Sequence, residues 1–283
     1  MPSWLTYEPQ IRLGIFAGMF LLLATLEAWQ PRRRLTVRKS PRWLSNLALV
    51  ALNMVVVRVV VPLSMVGVGA CVEARQFGAL QQVPGPQWLR VLLAVALLDL
   101  AIYGQHVLFH RVPVLWRVHR VHHADLDLDV TSGLRFHPVE MLLSLAIKVA
   151  AIFASGAPAL GVLIFEVLLN AGSMFSHANW RLPLGCDRVL RMLLVTPDMH
   201  RVHHSVVPTE TNRNFGFNLS CWDRLFRTYQ AQPAGGHEGM TIGLEEYRDE
   251  QQTERWPGML LLPWQAPISH NKHLKTDHES PLG

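Results

Sequence analysis

The sequence has few charged residues and almost no cysteine. Only 17% of its 283 residues are charged and 50% are apolar, which is unusual for a water-soluble protein. The three cysteines lie far apart and form no Cys-x-x-Cys pair, so neither a disulfide framework nor a thiolate zinc site is indicated. A dinucleotide-binding Gly-x-Gly-x-x-Gly, a flavin motif and a haem-attachment motif are also missing. Any electrons that the protein uses are therefore expected to come from a separate chain.

The apolar residues are concentrated in long runs. Residues 11–29, 43–71 and 88–109 form three runs of the length that crosses a bilayer core. A fourth run, 141–175, is too long for one span and is interrupted by Ser-Gly-Ala-Pro at 155–158, which predicts a helical hairpin. The sequence thus predicts an all-α integral membrane protein with four to five membrane helices.

The positive charge is concentrated directly after the first apolar run. The net charge is +5, and much of the excess lies in PRRRLTVRKSPR at 31–42. A basic loop beside a membrane helix is typical of the cytoplasmic side, so we interpret it as a topology signal rather than a nucleic-acid site. If this loop is cytoplasmic, the alternation of spans brings every histidine cluster to the cytoplasmic face.

Nine of the fourteen histidines lie in four short stretches. Residues three and four apart share a helix face, so we expect each cluster to converge on one point. The stretches are HVLFH (106, 110), RVHRVHH (119, 122, 123), SHANW (177) and MHRVHH (200, 203, 204).

Histidine clusters at this spacing, all on one side of a membrane, favour metal binding over simple core packing. A zinc ion takes at most four protein ligands in a structural site, so eight or nine imidazoles imply two metal ions. Imidazole suits zinc, copper, iron and nickel alike. The zinc-protease pattern His-Glu-x-x-His and the Glu-x-x-His pairs of soluble di-iron bundles are both absent. The sequence predicts an all-histidine dimetal site in a helical cap beside the bilayer.

Two other functional classes stay open at this point. A membrane metal transporter would use histidines along a permeation route, but it would place ligands within the spans rather than mostly after them. A membrane zinc hydrolase would need a carboxylate general base and fewer ligands.

Acidic and phenolic side chains lie close to the histidines in sequence. Asp99 and Tyr103 share a helix face with His106 and His110, so both are candidates to orient the ligands, although Asp99 could instead pair with Arg58. Asp198 and Asp223 flank the last cluster and could serve similarly. Most of the remaining nearby carboxylates are expected to be surface or capping groups, and one or two could offset the positive charge of the metal site. They are Asp125, Asp127, Asp129 and Glu140.

The histidine spellings HxxxH, HxxHH and HxxHH, with RFHPVE at 135–140 and NFGFNLSCWDRLFRTY at 214–229, resemble the fatty acid hydroxylase/sterol desaturase superfamily of integral membrane di-iron enzymes. LEAWQPRR at 26–33, RWLSNLALVALN at 42–53 and MTIGLEEYRDE at 240–250 extend the likeness to bacterial members over about residues 20–250. The resemblance implies one catalytic domain with three parts. These are the N-terminal membrane helices (1–110), the histidine region with its membrane hairpin (111–240, hairpin 141–176) and a cytoplasmic tail (241–283).

The resemblance also implies two iron ions and molecular oxygen as co-substrate. It makes ten histidines candidate iron ligands, with His122 and His203 as those whose loss should abolish turnover, and it places His137 between a ligand and a supporting role. Some family members have another histidine where Ser173 stands. The ten are His106, His110, His119, His122, His123, His137, His177, His200, His203 and His204.

The implied reaction is hydroxylation of an unactivated C–H bond of a lipid such as a sterol, fatty acyl chain, ether lipid or carotenoid, with desaturation as the alternative. The implied location is a bacterial inner membrane, with the site on the cytoplasmic face. A ferredoxin, or a cytochrome with its reductase, would supply electrons. It could dock on basic residues near the clusters, although half of that basic surface could equally contact lipid phosphates. His237 and the histidines of the tail are expected to be exposed. The basic residues are Arg111, Arg117, Arg120, Arg201 and Arg224.

Overall fold

The computed structural model describes residues 3–61 and 63–266, and within them it is helical with only isolated β-bridges. His270, His273 and His278 lie outside the described residues. The helices are α1 Glu8–Trp29, α2 Lys39–Val60, α3 Met65–Ala74, α4 Gln87–Arg111, α5 Pro113–His123, α6 Pro138–Ser155, α7 Ala159–His177, α8 Leu184–Leu190, α9 Pro197–His203, α10 Pro208–Thr211, α11 Cys221–Leu225, α12 Gly236–Gly239, α13 Glu250–Thr253 and α14 Trp256–Leu261.

Five helical segments are long and apolar enough to cross a membrane, as the sequence predicts. They are α1, α2 continued by α3, α4, α6 and α7. The faces that point away from the bundle are apolar, with Leu13 of α1 66% exposed and Val59 of α2 77% exposed. Exposed aliphatic side chains along such helices are stable only in contact with lipid or another apolar surface. The protein is a multi-pass membrane protein.

The second apolar run is not one continuous helix, contrary to the expectation from its length. α2 ends at Val60 and α3 begins at Met65, and the sequence between them contains a proline, which cannot continue a helix. Ser64 caps the new helix, because its hydroxyl accepts the backbone N–H of Gly67 at 3.1 Å. The buried side of α3 then packs against α7 and α6.

The predicted hairpin is confirmed between α6 and α7. Gly156 follows α6 with φ +73°, a left-handed conformation that closes a helix and favours glycine. Two residues later Pro158 precedes the first turn of α7. At Gly161 in α7, a Cβ would lie 2.9 Å from the Cβ of Ala94, so glycine lets α7 approach α4 closely. α4 and α7 therefore run side by side and end at the same face of the bundle.

That face is covered by a cap made of α5, α8–α14 and the loop 124–137. Loop 31–38 lies on the same side, because the backbone N–H of Arg32 donates to the carbonyl of Asn179 at 2.8 Å. The last part of the described chain also belongs to this cap: Leu244, Tyr247 and Met259 pack with Leu49 of α2 and with α5.

A buried ionic network holds the cap to α2. The guanidinium of Arg42 donates to Asp125 at 2.7 Å and lies 2.6 Å from Asp129, and Arg135 lies 3.3 Å from Glu254. The four carboxylates near the second histidine cluster, most of which the sequence predicts at the surface or in caps, are all buried. That prediction was wrong because donors elsewhere in the chain hydrogen-bond or pair with them, as buried charges require. The four are Asp125, Asp127, Asp129 and Glu140.

Candidate metal centre

Nine histidine side chains meet where α4 and α7 end against the cap. They form two groups, within each of which one nitrogen per ring lies within 4.8 Å of the others. The five-histidine group contains His106, His110, His119, His123 and His203. The four-histidine group contains His122, His177, His200 and His204.

The two HxxHH clusters each divide between the groups, so the expectation that a cluster converges on one point was wrong. On α5, His119 and His123 are one turn apart and face the five-histidine group, while His122 faces the other. At the end of α9 the division is reversed, because His200 and His204 join the four-histidine group and His203 joins the five. The doubled spelling thus supplies three nitrogens to each group.

Membrane helices supply the remaining ligand candidates. His106 and His110 lie one turn apart in the last part of α4 and complete the five-histidine group, whereas His177 ends α7 and completes the other. Because helix α5 follows α4 after a single residue, Val112, the turn folds the second cluster back over the first. The sequence therefore connects span and cap directly at the site.

Ring nitrogens face one another at short range inside both groups. The Nε2 atoms of His106 and His203 are 3.0 Å apart, those of His122 and His177 are 3.1 Å apart, and those of His177 and His200 are 3.1 Å apart. Two imidazole nitrogens bound about 2.1 Å from one metal ion, at right angles, would lie about 3.0 Å apart. The spacing therefore fits nitrogens that share a metal ion.

In five of these rings the other nitrogen, Nδ1, forms a hydrogen bond with an oxygen atom of the protein. A carbonyl or carboxylate oxygen accepts the proton of each Nδ1, which leaves the Nε2 lone pair directed inward. The pairs are His106 with the carbonyl of Phe215 at 2.7 Å, His119 with the Glu140 carboxylate at 2.7 Å, His122 with the carbonyl of Arg135 at 3.3 Å, His177 with the carbonyl of Ser173 at 2.7 Å and His203 with the carbonyl of Arg213 at 2.7 Å.

Burial keeps the cap histidines neutral. It lowers the pKa of His203 to about 3, and it lowers the pKa of His122 and His200 well below the usual value, with neighbouring histidines adding to the effect. Neutral imidazole is the form that binds metal. Within the described residues Nε2 of His119 is buried and has no hydrogen-bond partner, as expected for a nitrogen whose partner is a metal ion. The residues present fit two metal ions.

Three of the predicted site residues lie outside both groups. His137 caps α6, where its Nδ1 accepts the backbone N–H of Val139 at 3.1 Å. Tyr103 hydrogen-bonds with Thr228 at 2.9 Å and stacks on Phe226.

Asp99, the third, contacts no histidine and does not pair with Arg58. It accepts hydrogen bonds from the side chains of Asn218 and Trp222, each at 2.9 Å, and from the backbone N–H of Leu219. These contacts fix segment 215–222 against α4. The same segment presents the carbonyl of Phe215 to His106, so Asp99 acts on the ligands through the backbone.

Sequence reasoning missed the backbone groups that orient the rings. Asn214 has φ +53°, which is uncommon for a residue with a side chain but tolerated by asparagine. Its amide donates to the carbonyls of Met199 and Gln230, each at 2.8 Å. This turn places the carbonyl of Arg213 against His203. The asparagine in NFGF could have indicated this turn from the sequence. A backbone carbonyl that accepts from a histidine cannot be recognised in this way, because every residue type has one.

Two of the five predicted docking arginines and one predicted surface histidine are buried, which corrects the sequence analysis. Arg201 is paired with Asp198, and Arg120 donates to the carbonyls of Leu262 and Gln265. His237 is buried beside Asp198 at 3.6 Å. Long-range packing of the cap covers all three. The other arginines, Arg111, Arg117 and Arg224, are exposed.

Comparison with known proteins agrees with this arrangement. The family model described as fatty acid hydroxylase matches residues 91–228, which hold all ten histidines predicted as ligands. Residues 91–228, just under half of the chain, are therefore similar to the fatty acid hydroxylase family. The matched region begins in α4 and ends just after α11, so it contains both histidine groups and the hairpin.

The chain is similar to proteins from bacteria and animals. An ornithine lipid hydroxylase of Rhizobium tropici is 32% identical over 148 residues, 52% of this chain and 44% of that protein. Human alkylglycerol monooxygenase is 27% identical over 51% of this chain and 31% of its own length. Rat cholesterol 25-hydroxylase is 28% identical over 50% of this chain and 47% of its own length. The match thus spans less than half of each relative. No solved structure matches the chain.

Proposed function

We propose that the protein is a membrane-bound di-iron oxidoreductase that uses molecular oxygen to hydroxylate an unactivated C–H bond of a lipid. The observation that carries this proposal is the pair of histidine groups, five and four, at the end of a bundle of membrane helices. Nine nitrogen donors with no carboxylate among them, in the part of the chain described, suit a redox metal pair better than a hydrolytic zinc, which needs a nearby general base.

Each histidine group would hold one iron. His203 would contribute to the ion of the five-histidine group and His122 to that of the four-histidine group, so these two residues test the two ions separately. His137 is assigned to capping α6 rather than to either ion. When bound, the two irons would activate molecular oxygen for insertion into a C–H bond.

The protein's own groups would orient and tune the ligands. Glu140 accepts from His119, and a carboxylate in this position makes the imidazole a stronger donor. The carbonyls of Phe215, Ser173 and Arg213 fix the other rings without adding charge. Burial excludes water from nearly all of these side chains, which protects a reactive site from side reactions.

The balance of the reaction requires an external reductant. Incorporation of one oxygen atom into a C–H bond reduces the second atom to water and consumes two electrons and two protons. We assign the electrons to a separate ferredoxin, or to a cytochrome with its reductase. Arg111, Arg117 and Arg224 remain exposed and are the candidate contacts for an acidic partner.

The substrate class follows from the relatives and from the bundle. The named relatives act on an ornithine lipid, on alkylglycerol and on cholesterol, and all are described as hydroxylases or monooxygenases. We therefore place hydroxylation ahead of desaturation and a membrane lipid ahead of a soluble substrate. The cationic loop 31–38, which lies on the side of the histidines, supports a cytoplasmic site. We place the protein in a bacterial inner membrane.

The test combines metal analysis with labelled oxygen. Protein expressed with iron-57 and purified in detergent should contain close to two irons per chain, spin-coupled when oxidised in Mössbauer spectra. With ferredoxin, its reductase and bacterial lipid extract, oxygen-18 gas should label a lipid hydroxyl. One zinc and no iron after anaerobic iron loading would overturn the proposal, as would product that carries oxygen from water.

A further inference from the structure

A cavity of about 260 Å³ lies beside the end of α1 and the start of α2, on the side of the bundle that carries the cap. Basic loop 31–38 forms one wall, and Glu27, Asp129 and Asn179 contribute to the others. The volume is somewhat below that of pockets which enclose a whole drug-sized ligand. It is large enough for a polar headgroup.

Three cations on the cavity wall lack a carboxylate partner. Arg33, Arg34 and Lys39 form no ion pair within 4.0 Å in the described parts of the chain, whereas the neighbouring Arg32 pairs with Asp198 and Glu238. Arg33 donates only to backbone carbonyls, and its Nε is buried without a partner among the described residues.

The two carboxylates of the cavity differ in how many of their oxygens form hydrogen bonds or ion pairs. Both oxygens of Asp129 are occupied, one by Thr131 and the other by Trp43 and Arg42. Glu27 is only 4% exposed. One of its oxygens accepts two backbone N–H groups, but Oε2 has no hydrogen-bond partner among the residues described. A buried carboxylate oxygen without a partner is costly, so the cavity is complete only with a ligand that donates to Glu27.

The cavity lies where the membrane surface is expected. Trp29, the last residue of α1, is 72% exposed, and Lys39 lies 4.3 Å above the ring of Trp43. Tryptophan and basic side chains at helix ends are typical of the lipid headgroup region. A ligand there would be part of the bilayer.

We propose that this cavity binds the headgroup of an aminophospholipid. The phosphate would lie against Arg33, Arg34 and Lys39, and the ammonium group would donate to Oε2 of Glu27. This site is independent of the proposed oxidation, since none of these residues belongs to a histidine group. A bound headgroup would brace loop 31–38, whose backbone donates to Asp127 in the cap.

The test uses the full-length protein, delipidated in detergent, and native mass spectrometry. The probes are phosphatidylethanolamine, phosphatidylglycerol and inorganic phosphate. Wild-type protein should bind one added phosphatidylethanolamine and should bind phosphatidylglycerol more weakly. The double variant Arg34→Gln/Lys39→Gln should weaken phosphatidylethanolamine binding about thirtyfold, roughly fivefold for each cation near the membrane surface. Glu27→Gln should reduce the preference for the ethanolamine headgroup.

The matched control is Arg38→Gln/Arg188→Gln, which removes the same charge from exposed positions outside the cavity and should leave binding unchanged. If the double variant does not fold, Arg34→Gln alone tests the site, because Arg34 is exposed. Unchanged binding by the cavity variants would overturn the proposal. The proposal would also fail if wild type showed no preference for phosphatidylethanolamine over phosphatidylglycerol and Glu27→Gln behaved in the same way. It would fail too if inorganic phosphate, at the same concentration as the lipid, displaced phosphatidylethanolamine.

Discussion

The two histidine groups share the same doubled cluster but differ in the membrane helix that completes them. α4 contributes two histidines to one group, whereas α7 contributes only His177 to the other. One turn before His177 stands Ser173, whose hydroxyl donates to the carbonyl of Gly133 at 2.7 Å. A Cβ on Gly133 would lie 2.5 Å from the carbonyl oxygen of Ser173, so the backbone of the loop lies directly against α7 at this point. Ser173 therefore holds the cap loop and offers no ring nitrogen to the four-histidine group.

This difference predicts unequal metal affinity, although both groups use neutral imidazole. Three of the five rings in the larger group are held at Nδ1 by Phe215, Glu140 and Arg213, and two of the four in the smaller group by Arg135 and Ser173. Fewer donors and fewer fixed rings mean a weaker site. The five-histidine group also has Glu140, the one carboxylate among the described residues that hydrogen-bonds to a ring of either group.

The largest expected effect comes from removing one ligand of each group. His203→Ala and His122→Ala should each abolish lipid oxidation, because each takes a nitrogen from one ion and leaves a cavity in its shell. His122→Ala reduces the weaker group to three histidines, so it should also lose more iron than His203→Ala. Iron per chain and product yield measure the two effects. Full activity in both variants would rule out the proposed centre.

Chelation should separate the groups without a complete loss of structure. As chelator is added to the wild-type protein, the iron of the four-histidine group should leave first and that of the five-histidine group later. His204→Ala should move only the first step to lower chelator concentration, and His110→Ala only the second, since each belongs to one group. Release of both irons in one step in all three proteins would mean that the groups are equivalent.

Glu140→Gln tests the carboxylate that hydrogen-bonds to His119 of the five-histidine group. The amide keeps the size of the side chain but weakens the hydrogen bond to His119, so iron affinity or activity should fall about 10–100-fold. Iron titration followed by turnover measures both. If only the first chelation step moved to lower chelator concentration, Glu140 would act on the four-histidine group, contrary to the prediction.

His137→Asn is the matched control for Glu140→Gln, three residues away in the same turn. Asparagine is a good N-cap, so it should replace the contact that His137 makes with Val139. Iron content should stay at the wild-type level. Loss of an iron would instead make His137 a ligand.

The sequence could predict the helices and the ligand candidates because both depend on local patterns. Span length gave the membrane helices, and three- and four-residue spacing gave the histidine clusters. The division of His119 and His123 from His122 could not be predicted. On a helix these residues share a broad face, and only the position of α9 against α5 decides which nitrogen belongs to which group.

Long-range partners were also beyond the sequence. From the sequence alone Asp125 is expected at the surface. The structure buries it because Arg42, 83 positions away, pairs with it. The sequence predicts Asp99 on the histidine face of α4, but its partners lie about 120 residues later, in segment 218–222. Helical periodicity gives the direction of a side chain, not the partner that a distant loop brings to it.

Asp99→Asn should have a smaller effect than Glu140→Gln because Asp99 contacts no ligand. The amide loses acceptor capacity toward Asn218, Leu219 and Trp222, which should cost about 1–3 kcal/mol. Segment 215–222 should loosen and release the carbonyl of Phe215 from His106. The expected result is a lower unfolding temperature and selective loss of iron from the five-histidine group. Equal loss from both groups would indicate a global folding defect.

The smallest expected effect concerns His237, a buried cap histidine outside both groups. Burial lowers its pKa to about 4 despite the nearby Asp198. The unfolded chain therefore takes up a proton near pH 6.5 that the folded protein does not take up until about pH 4, so stability is lost as pH falls through this range. His237→Gln should make the unfolding temperature of the iron-loaded protein less sensitive to pH between those values, while leaving iron content and turnover unchanged. If the unfolding temperature of variant and wild type depended on pH in the same way, protonation of His237 would not contribute to the loss of stability in acid.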